Sequence, residues 1–220
     1  MVERDVFVEL CGVVDVLMGE GGCAWDRAQT HASLRQHLLE ESYEVADAID
    51  LEDYGALREE LGDLMLQVIM HSRIAAKSGR FGLADVMGDV AQKLVRRHTH
   101  IFGDDVANSS EEVVGIWEAN KLAEKDISSP LENMSAVPKA LPALARAQKV
   151  LKRSGQEFSK ESLISEIRTL IDKLDAGEDK MENHGSIFLF MAALSAKNQI
   201  NAEFSLTNAI QAFINTFDAI

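Results

Sequence analysis

The sequence predicts an all-α protein built from tandem helical-bundle domains, and three observations support this prediction. Proline occurs only three times in 220 residues, always between Pro130 and Pro142, so long stretches are free of the residue that interrupts helices. Ala, Leu, Glu and Val are abundant, whereas runs of β-branched and aromatic residues are few. Apolar residues recur at steps of three and four, which is the period of a helix with one buried face.

The first predicted helix runs from Asp5 to Met18. Its apolar positions are Val6, Leu10, Val13, Val14 and Leu17. The glycine-rich run 19–22 ends this helix, and residues 23–26 are expected to form a loop. A second helix begins at Thr30 or Ser33, either of which can act as the N-cap, and continues to about Asp50.

Three further helices complete the first half. Tyr54 and Gly55 are expected to separate the second helix from the third, which spans residues 56–78 and has Gly79 at its C-terminal cap. The fourth helix covers residues 83–97 and the fifth residues 110–124, after the turn-rich segment 103–108. The first half is therefore predicted to be a bundle of five helical segments.

All the prolines and several serines lie between residues 125 and 142, which indicates a connection between two units. We predict a first domain over 1–127, a linker over 128–142 and a second domain over 143–220. The second domain is expected to contain helices at 139–153, 160–175, 180–198 and 205–218, the first of which begins inside the linker.

The formal net charge of −14 argues against binding to nucleic acid, because such binding depends on Lys and Arg that neutralise phosphates. Cys11 and Cys23 are expected to be free thiols, since a bridge between them would constrain only the start of the chain. The amino terminus does not resemble a signal peptide, and no apolar run is long enough to span a membrane. These features predict a cytoplasmic protein without nucleic-acid or membrane partners.

Two acidic pairs mark a candidate metal site. Glu41 and Glu44 are three residues apart on the second helix, and Glu60 and Asp63 have the same spacing on the third, so each pair shares one helical face. If these helices pack antiparallel, the four carboxylates converge. Asp63 is the most informative of them, because its helix is the most apolar in the chain.

Converging carboxylates repel one another unless a cation neutralises them, and oxygen-only ligands favour Mg²⁺ or Mn²⁺. Two other interpretations compete with this one: solvated acidic helices and a di-iron bundle. A di-iron site requires Glu-x-x-His pairs, and the sequence contains none. His71, His98 and His100 match no zinc-binding spacing, so no role is assigned to them.

A cationic segment follows the carboxylates. Lys93 and Arg97 are four residues apart on one helix, with Arg96 beside them, and Trp117 and Lys121 repeat that spacing on the next helix. An aromatic ring and several cations of this kind can hold a triphosphate and stack on a base. Compensation of helix dipoles and core packing are the alternative explanations.

Several motifs occur together in a fixed order between residues 5 and 125, and they resemble the MazG family of nucleoside triphosphate pyrophosphohydrolases. The segments that carry the resemblance are Gly22 to Asp26, Gln29 to His31, Leu38 to Glu44, Asp47 to Ile49, Glu59 to Leu64 and Arg96 to His98. One departure is Ala24, where the family commonly has proline. The resemblance implies an all-α NTP pyrophosphatase fold, Mg²⁺-dependent hydrolysis of nucleoside triphosphates to monophosphate and pyrophosphate, and a homodimer.

By this resemblance, Glu41, Glu44, Glu60 and Asp63 would bind magnesium and form the catalytic centre, with Glu40 in support. The nucleotide would contact Lys93, Arg96, Arg97, Trp117 and Lys121, and the segment that begins at Trp25 would lie near the substrate. Attack of water at the α-phosphorus would release pyrophosphate. Base and sugar preference remain open, and a guanosine alarmone is among the candidate substrates.

The family also implies a second MazG-like domain, and there the acidic pairs are absent. The metal-binding acidic pairs should recur at Glu166 to Thr169 and at Asn183 to Ser186, but these segments do not contain them. The second domain is therefore expected to be degenerate and non-catalytic. Two functions of other classes compete with the enzyme: a nucleotide or alarmone sensor without turnover, and a purely structural scaffold.

Overall fold

The computed structural model describes residues 2–124, 129–178 and 180–217, and within these ranges the chain forms helices and no strands. This confirms the predicted all-α class. In chain order the helices are α1 (Glu3–Met18), α2 (Ala24–Ala28), α3 (His31–Asp50), α4 (Tyr54–Lys77), α5 (Leu83–Arg97), α6 (Thr99–Phe102), α7 (Ser110–Ala123), α8 (Pro130–Ser135), α9 (Ala143–Ser154), α10 (Lys160–Asp175), α11 (Met181–Lys197) and α12 (Ala202–Asn215).

The chain turns sharply after α1, and this turn determines where Trp25 lies. Gly22 approaches the carbonyl oxygens of Val16 and Leu17 so closely that a Cβ on this residue would clash with both. Residues 24–28, which lie between the first and second predicted helices, instead form the short helix α2, which begins with a hydrogen bond from the Arg27 N–H to the Cys23 carbonyl at 3.0 Å. Five residues are too few to show an apolar period, so the sequence pattern did not reveal this helix.

Side-chain caps define the starts of α3 and α4. Thr30 is the N-cap of α3 and forms a capping box with Ser33, in which each side chain accepts from the other residue's backbone N–H, at 3.1 and 2.9 Å. Asp53 caps α4 by accepting from the N–H groups of Gly55 and Ala56. The expectation that Tyr54 and Gly55 precede the helix was therefore wrong, because the Asp53 cap places both in its first turn.

Helices α3 and α4 pack against each other as an antiparallel hairpin, which is the largest helix–helix contact of the first half. His31 near the start of α3 contacts His71 near the end of α4, whereas Glu41 lies opposite Glu60 and Asp63. The two helices therefore run in opposite directions. Gly79 follows α4 with a φ of +67°, the left-handed conformation expected of a C-terminal glycine.

The core of this half lies between α1, α3, α4 and the start of α5. Its buried residues are Val14, Met18, Leu34, Ile69, Met70 and Leu83. A bidentate ion pair also joins α1 to α4: the Arg73 guanidinium lies 2.6 and 2.9 Å from the two carboxylate oxygens of Asp15. The core therefore fixes one side of the α3–α4 hairpin and leaves the end with the acidic pairs accessible.

The chain divides into two compact units, Met1–Glu118 and Ala119–Ile220. The boundary falls within α7, before the boundary expected near residue 127. Within the second unit, α10 and α11 form the largest contact, as α3 and α4 do in the first.

The predicted linker over 128–142 is partly helical. Pro130 occupies the first turn of α8, Val137 is buried, and the Arg153 guanidinium donates to the Asn133 carbonyl at 3.1 Å. Helix α8 therefore packs on α9, and a proline at a helix N-terminus was the missed signal. Residues 125–128 of the predicted connection, and residue 218 at the end of the last predicted helix, lie outside the described residues.

Across the described ranges, no helix combines the length and apolarity that a membrane span requires. Cys11 is half-buried and Cys23 is exposed, and both are free thiols.

Candidate functional site

The antiparallel α3–α4 hairpin brings the acidic residues together. Oxygen atoms of Glu41, Glu60 and Asp63 all lie within 4.8 Å of one another, and the three side chains are half-buried. Glu44 is exposed and lies one turn after Glu41 on the same helix, and its negative charge acts on Glu41. Three of the four residues predicted to bind a metal thus form a tight cluster, and the fourth borders it.

The cluster is electrostatically strained without a cation. Burial, and then the negative charges of Asp63, Glu44 and Glu60, raise the pKa of Glu41 above its ordinary value. Desolvation, with the charges of Glu44, Glu59 and Asp63, raises the pKa of Glu60. In both residues the charged form is disfavoured, and a bound cation would reverse this effect.

The geometry of the cluster fits a small divalent cation. In a six-coordinate shell with Mg²⁺–oxygen distances of about 2.1 Å, adjacent ligand atoms lie about 3 Å apart and opposite ones about 4.2 Å apart. A cluster whose oxygens lie within 4.8 Å of one another needs only a small contraction to reach that spacing. Carboxylate oxygens without sulfur or imidazole are also the donors that Mg²⁺ and Mn²⁺ prefer.

The surroundings of Asp63 differ in part from the expectation. Leu61 and Met65, its apolar neighbours in sequence, are 48% and 45% exposed, so they lie on another face of α4. The buried neighbour on the Asp63 face is Gln67, one turn further on, whose side-chain oxygen has no partner among the described residues. Asp63 is therefore at the edge of the core rather than within it.

The predicted nucleotide-binding residues separate into distinct groups. Arg97 is buried, and its guanidinium carbon lies 5.2 Å from the centre of the Trp117 ring, within the range of a cation–π interaction. The His98 ring meets the same indole at 4.8 Å between ring centres. Lys121 follows Trp117 by one turn on α7. No functional role was predicted for His98. It follows Arg97 in the sequence and therefore lies beside the Arg97–Trp117 pair.

Lys93 and Arg96 lie along a cavity of about 770 Å³ beside α5. Lys93 is half-buried and Arg96 is exposed. Asp85 and Asp89 also line this cavity, so the surface is of mixed charge rather than the dense positive patch that the sequence indicated. The acids come from the preceding turns of the same helix, on the face that Lys93 shares.

Trp25 is 54% exposed and lies next to α3, its ring 6.0 Å from that of His37 in an edge-on arrangement. His37 is in turn 3.2 Å from Glu40, which also accepts a hydrogen bond from Gln36. Trp25 therefore contacts His37, which contacts Glu40, the residue that precedes Glu41 on α3. His37 was not predicted to belong to the site, although its spacing of three residues from Glu40 indicated this contact.

Known proteins resemble the part of the chain that contains the acidic cluster. The model of the MazG nucleotide pyrophosphohydrolase domain matches residues 29–102, which include all four acidic residues. A nucleoside triphosphate pyrophosphohydrolase of Escherichia coli is 45% identical over 134 residues, which cover 61% of this chain and 51% of the relative. The chain thus spans about half the length of that protein.

Two other relatives match over more of the chain. A nucleoside triphosphate pyrophosphohydrolase of Mycolicibacterium smegmatis is 36% identical over 84% of this chain and 56% of its own length. The nucleoside triphosphate pyrophosphohydrolase/pyrophosphatase MazG of Thermotoga maritima is 33% identical over 96% of this chain and 84% of its own length. An alignment of that extent includes both units, and the chain therefore belongs to the MazG family.

Proposed function

We propose that this protein hydrolyses nucleoside triphosphates to nucleoside monophosphate and pyrophosphate, with Mg²⁺ held by Glu41, Glu44, Glu60 and Asp63. The observation that carries the proposal is the cluster of Glu41, Glu60 and Asp63 in a chain of this family. The names of the relatives give the same activity. Mn²⁺ would fit the same oxygen ligands.

A magnesium ion at this cluster would supply positive charge for the phosphates and lower the pKa of water. The residues of the chain provide the rest of the site. Arg97 is already desolvated against Trp117, so its charge can neutralise a phosphate without a further loss of hydration. Glu44 is the most accessible acid of the set and is suited to accept a proton from the attacking water.

Trp117 and Trp25 are suited to binding the base or ribose. Trp117 is half-buried and Trp25 is largely exposed, so a nucleotide would bury apolar ring surface on both. Lys93, Arg96 and Lys121 would then contact the phosphate tail from their helices.

The decisive experiment measures pyrophosphate release from a panel of nucleoside triphosphates, with and without Mg²⁺. We expect monophosphate and pyrophosphate as products, and a rate at least about 100-fold lower in Asp63→Asn. Glu59→Gln is the matched control, because Glu59 precedes Glu60 on α4 but does not belong to the cluster. A wild-type protein that binds triphosphates without releasing pyrophosphate would instead favour the sensor.

We further propose that the protein is a homodimer. Leu61, Met65 and Val68 form an exposed apolar row on α4, and Met65 also borders a groove with Val6 and Leu10 of α1. Apolar rows of this kind are typical of subunit interfaces. Light scattering should give twice the mass of the chain for the wild type and a lower mass for Met65→Glu; a monomeric wild type at micromolar concentration would contradict the proposal.

The second unit is proposed to be non-catalytic. Glu166 is exposed on α10, and the candidate metal cluster found among the described residues lies wholly in the first unit. We therefore expect the second unit to hold no Mg²⁺.

A further inference from the structure

The second unit contains a cavity of about 600 Å³, bounded by α9, the start of α10, the end of α11 and the segment that leads into α12. Its volume is in the range of sites for small organic ligands. Leu163 and Ala193, both buried, form part of an apolar wall, and Phe158 adds an aromatic ring. These walls leave space that an apolar or ring-shaped body would fit.

Gln148 holds the walls of this cavity together. Its side-chain amide donates to the carbonyl oxygens of Ala192 at 3.2 Å and Ile200 at 2.9 Å, and its side-chain oxygen accepts from the Ala202 N–H at 3.1 Å. One side chain therefore joins α9 to α11 and to the start of α12. Because these polar groups are already paired, the cavity is preformed and a ligand need not reorganise it.

The charge of the cavity is opposite to that of the protein. The chain has 36 acidic and 22 basic residues, not counting histidine. Nevertheless, the described residues that line the cavity include three lysines, Lys149, Lys152 and Lys197, and no acid. None of these lysines takes part in an ion pair with a described carboxylate. Three cations therefore surround one apolar cavity without internal neutralisation.

Helix-dipole compensation accounts for only part of this arrangement. Lys152 and Lys197 are in the last turns of α9 and α11, where a cation offsets the partial negative charge of the helix end. Lys149 lies one turn earlier, on the same face of α9 as Lys152. Dipole compensation requires neither this third lysine nor the convergence of two helices on one cavity.

We propose that this cavity binds a nucleoside di- or triphosphate, and that it does so without a metal ion. Three lysines match a phosphate tail with several charges better than a single carboxylate. Phe158 can pack against a base, and the exposed amides of Gln156 and Gln199 can donate to or accept from its edge. The second unit would then be a nucleotide-sensing module whose site shares no residue with the acidic cluster.

The test is isothermal titration of the 220-residue chain with ADP in a buffer that contains EDTA. We expect saturable binding of one ADP per chain, since the acidic cluster repels a phosphate when no cation is present. A triple variant that removes the three lysines of the cavity, Lys149→Gln/Lys152→Gln/Lys197→Gln, should weaken this binding at least ten-fold. The matched control is Lys139→Gln/Lys160→Gln/Lys173→Gln, which removes the same charge from exposed positions of the same unit and should bind ADP as the wild type does.

A steric variant tests whether ADP occupies the space of the cavity, independently of the charge of its lysines. Ala196 lines the cavity and is exposed, so Ala196→Trp should block ADP binding while all three lysines remain and circular dichroism shows an intact fold. No ADP binding by the wild type, undiminished binding by the triple lysine variant, or tighter binding of octanoate than of ADP would each overturn the proposal. Asp63→Asn should bind ADP in EDTA like the wild type, so this result does not depend on the hydrolytic activity proposed above.

Discussion

At the scale of single residues, the acidic cluster makes metal binding dependent on pH. The pKa values of Glu41 and Glu60 are raised, by burial first and then by neighbouring carboxylates. As the pH falls through these raised values, both residues take up protons and cease to be good ligands. We expect the Mg²⁺-induced rise in Tm to be largest near pH 7.5 and to decrease towards pH 5. An equal rise at both pH values would contradict a site built from these carboxylates.

Glu41→Gln provides a second test at this scale. A carboxylate with a raised pKa stabilises the fold only at low pH, where it is protonated, and this contribution is lost as the pH rises through the raised pKa. At pH 7 without metal, Glu41→Gln should therefore raise Tm by up to about 2 °C, a small effect because the side chain is partly solvated. The gain should disappear at low pH. Differential scanning fluorimetry with EDTA measures both; a lower Tm at pH 7 would refute the prediction.

His31 and His71 should make the stability of the fold depend on pH in the direction opposite to that of Glu41. Their Nδ1 atoms are 2.8 Å apart, so one ring must donate a proton and the other must accept it. Burial, and then the nearby His31, lower the pKa of His71, and its Nε2 is buried without a described partner.

A histidine with a lowered pKa stabilises the fold when it is neutral, and this contribution is lost as the pH falls below the ordinary histidine value. The wild type should therefore lose more Tm between pH 7.5 and pH 5.5 than His71→Phe does. Parallel pH profiles of the two proteins, measured by circular dichroism, would rule out this role.

At the scale of elements, the α3 cap positions the segment that carries Trp25. Thr30 and Ser33 close the capping box, and His31, the first residue of the helix, contacts α4. The cap thus fixes the backbone at the point where the segment that carries Trp25 meets the α3–α4 hairpin. Thr30 and Ser33 were the candidate caps in the sequence, because Ser and Thr before a periodic apolar run are typical of helix starts.

Thr30→Ala should reduce the free energy of unfolding by about 1 kcal/mol, since the N–H of Ser33 would lose its acceptor. For a chain of this size, that corresponds to a fall of about 2–4 °C in Tm. Thr30→Ser retains the hydroxyl and is the conservative control, expected to stay close to the wild type. A Thr30→Ala protein as stable as the wild type in urea denaturation would show that the cap does not stabilise the fold.

At the scale of the whole molecule, the two units should differ in their contribution to hydrolysis. Glu60 belongs to the acidic cluster of the first unit, whereas Glu166 is an isolated exposed acid on α10. In the 220-residue chain, Glu60→Gln should lower the rate of pyrophosphate release by at least about 100-fold, and Glu166→Gln should change it by less than two-fold. Equal losses in the two variants would show that both units take part in catalysis.

The sequence by itself determined the helical class, the course of the main helices and the identity of the acidic set. These features depend on local rules: a 3.6-residue period, caps at helix ends and the i, i+3 spacing of acids on one face. Gly79 and the range of α5 followed from such rules without further information. By contrast, α2, α6 and α8 were not predicted, since short helices contain too little periodic signal.

The tertiary structure decided which residues meet. Only the antiparallel hairpin brings Glu41 of α3 to Glu60 and Asp63 of α4, and only the folded chain places Arg97 over Trp117. The paired histidines and the lysine-rimmed cavity of the second unit likewise join residues from separate elements. Such contacts depend on the packing of distant segments, whereas sequence periodicity reports only which face of its own helix a residue occupies.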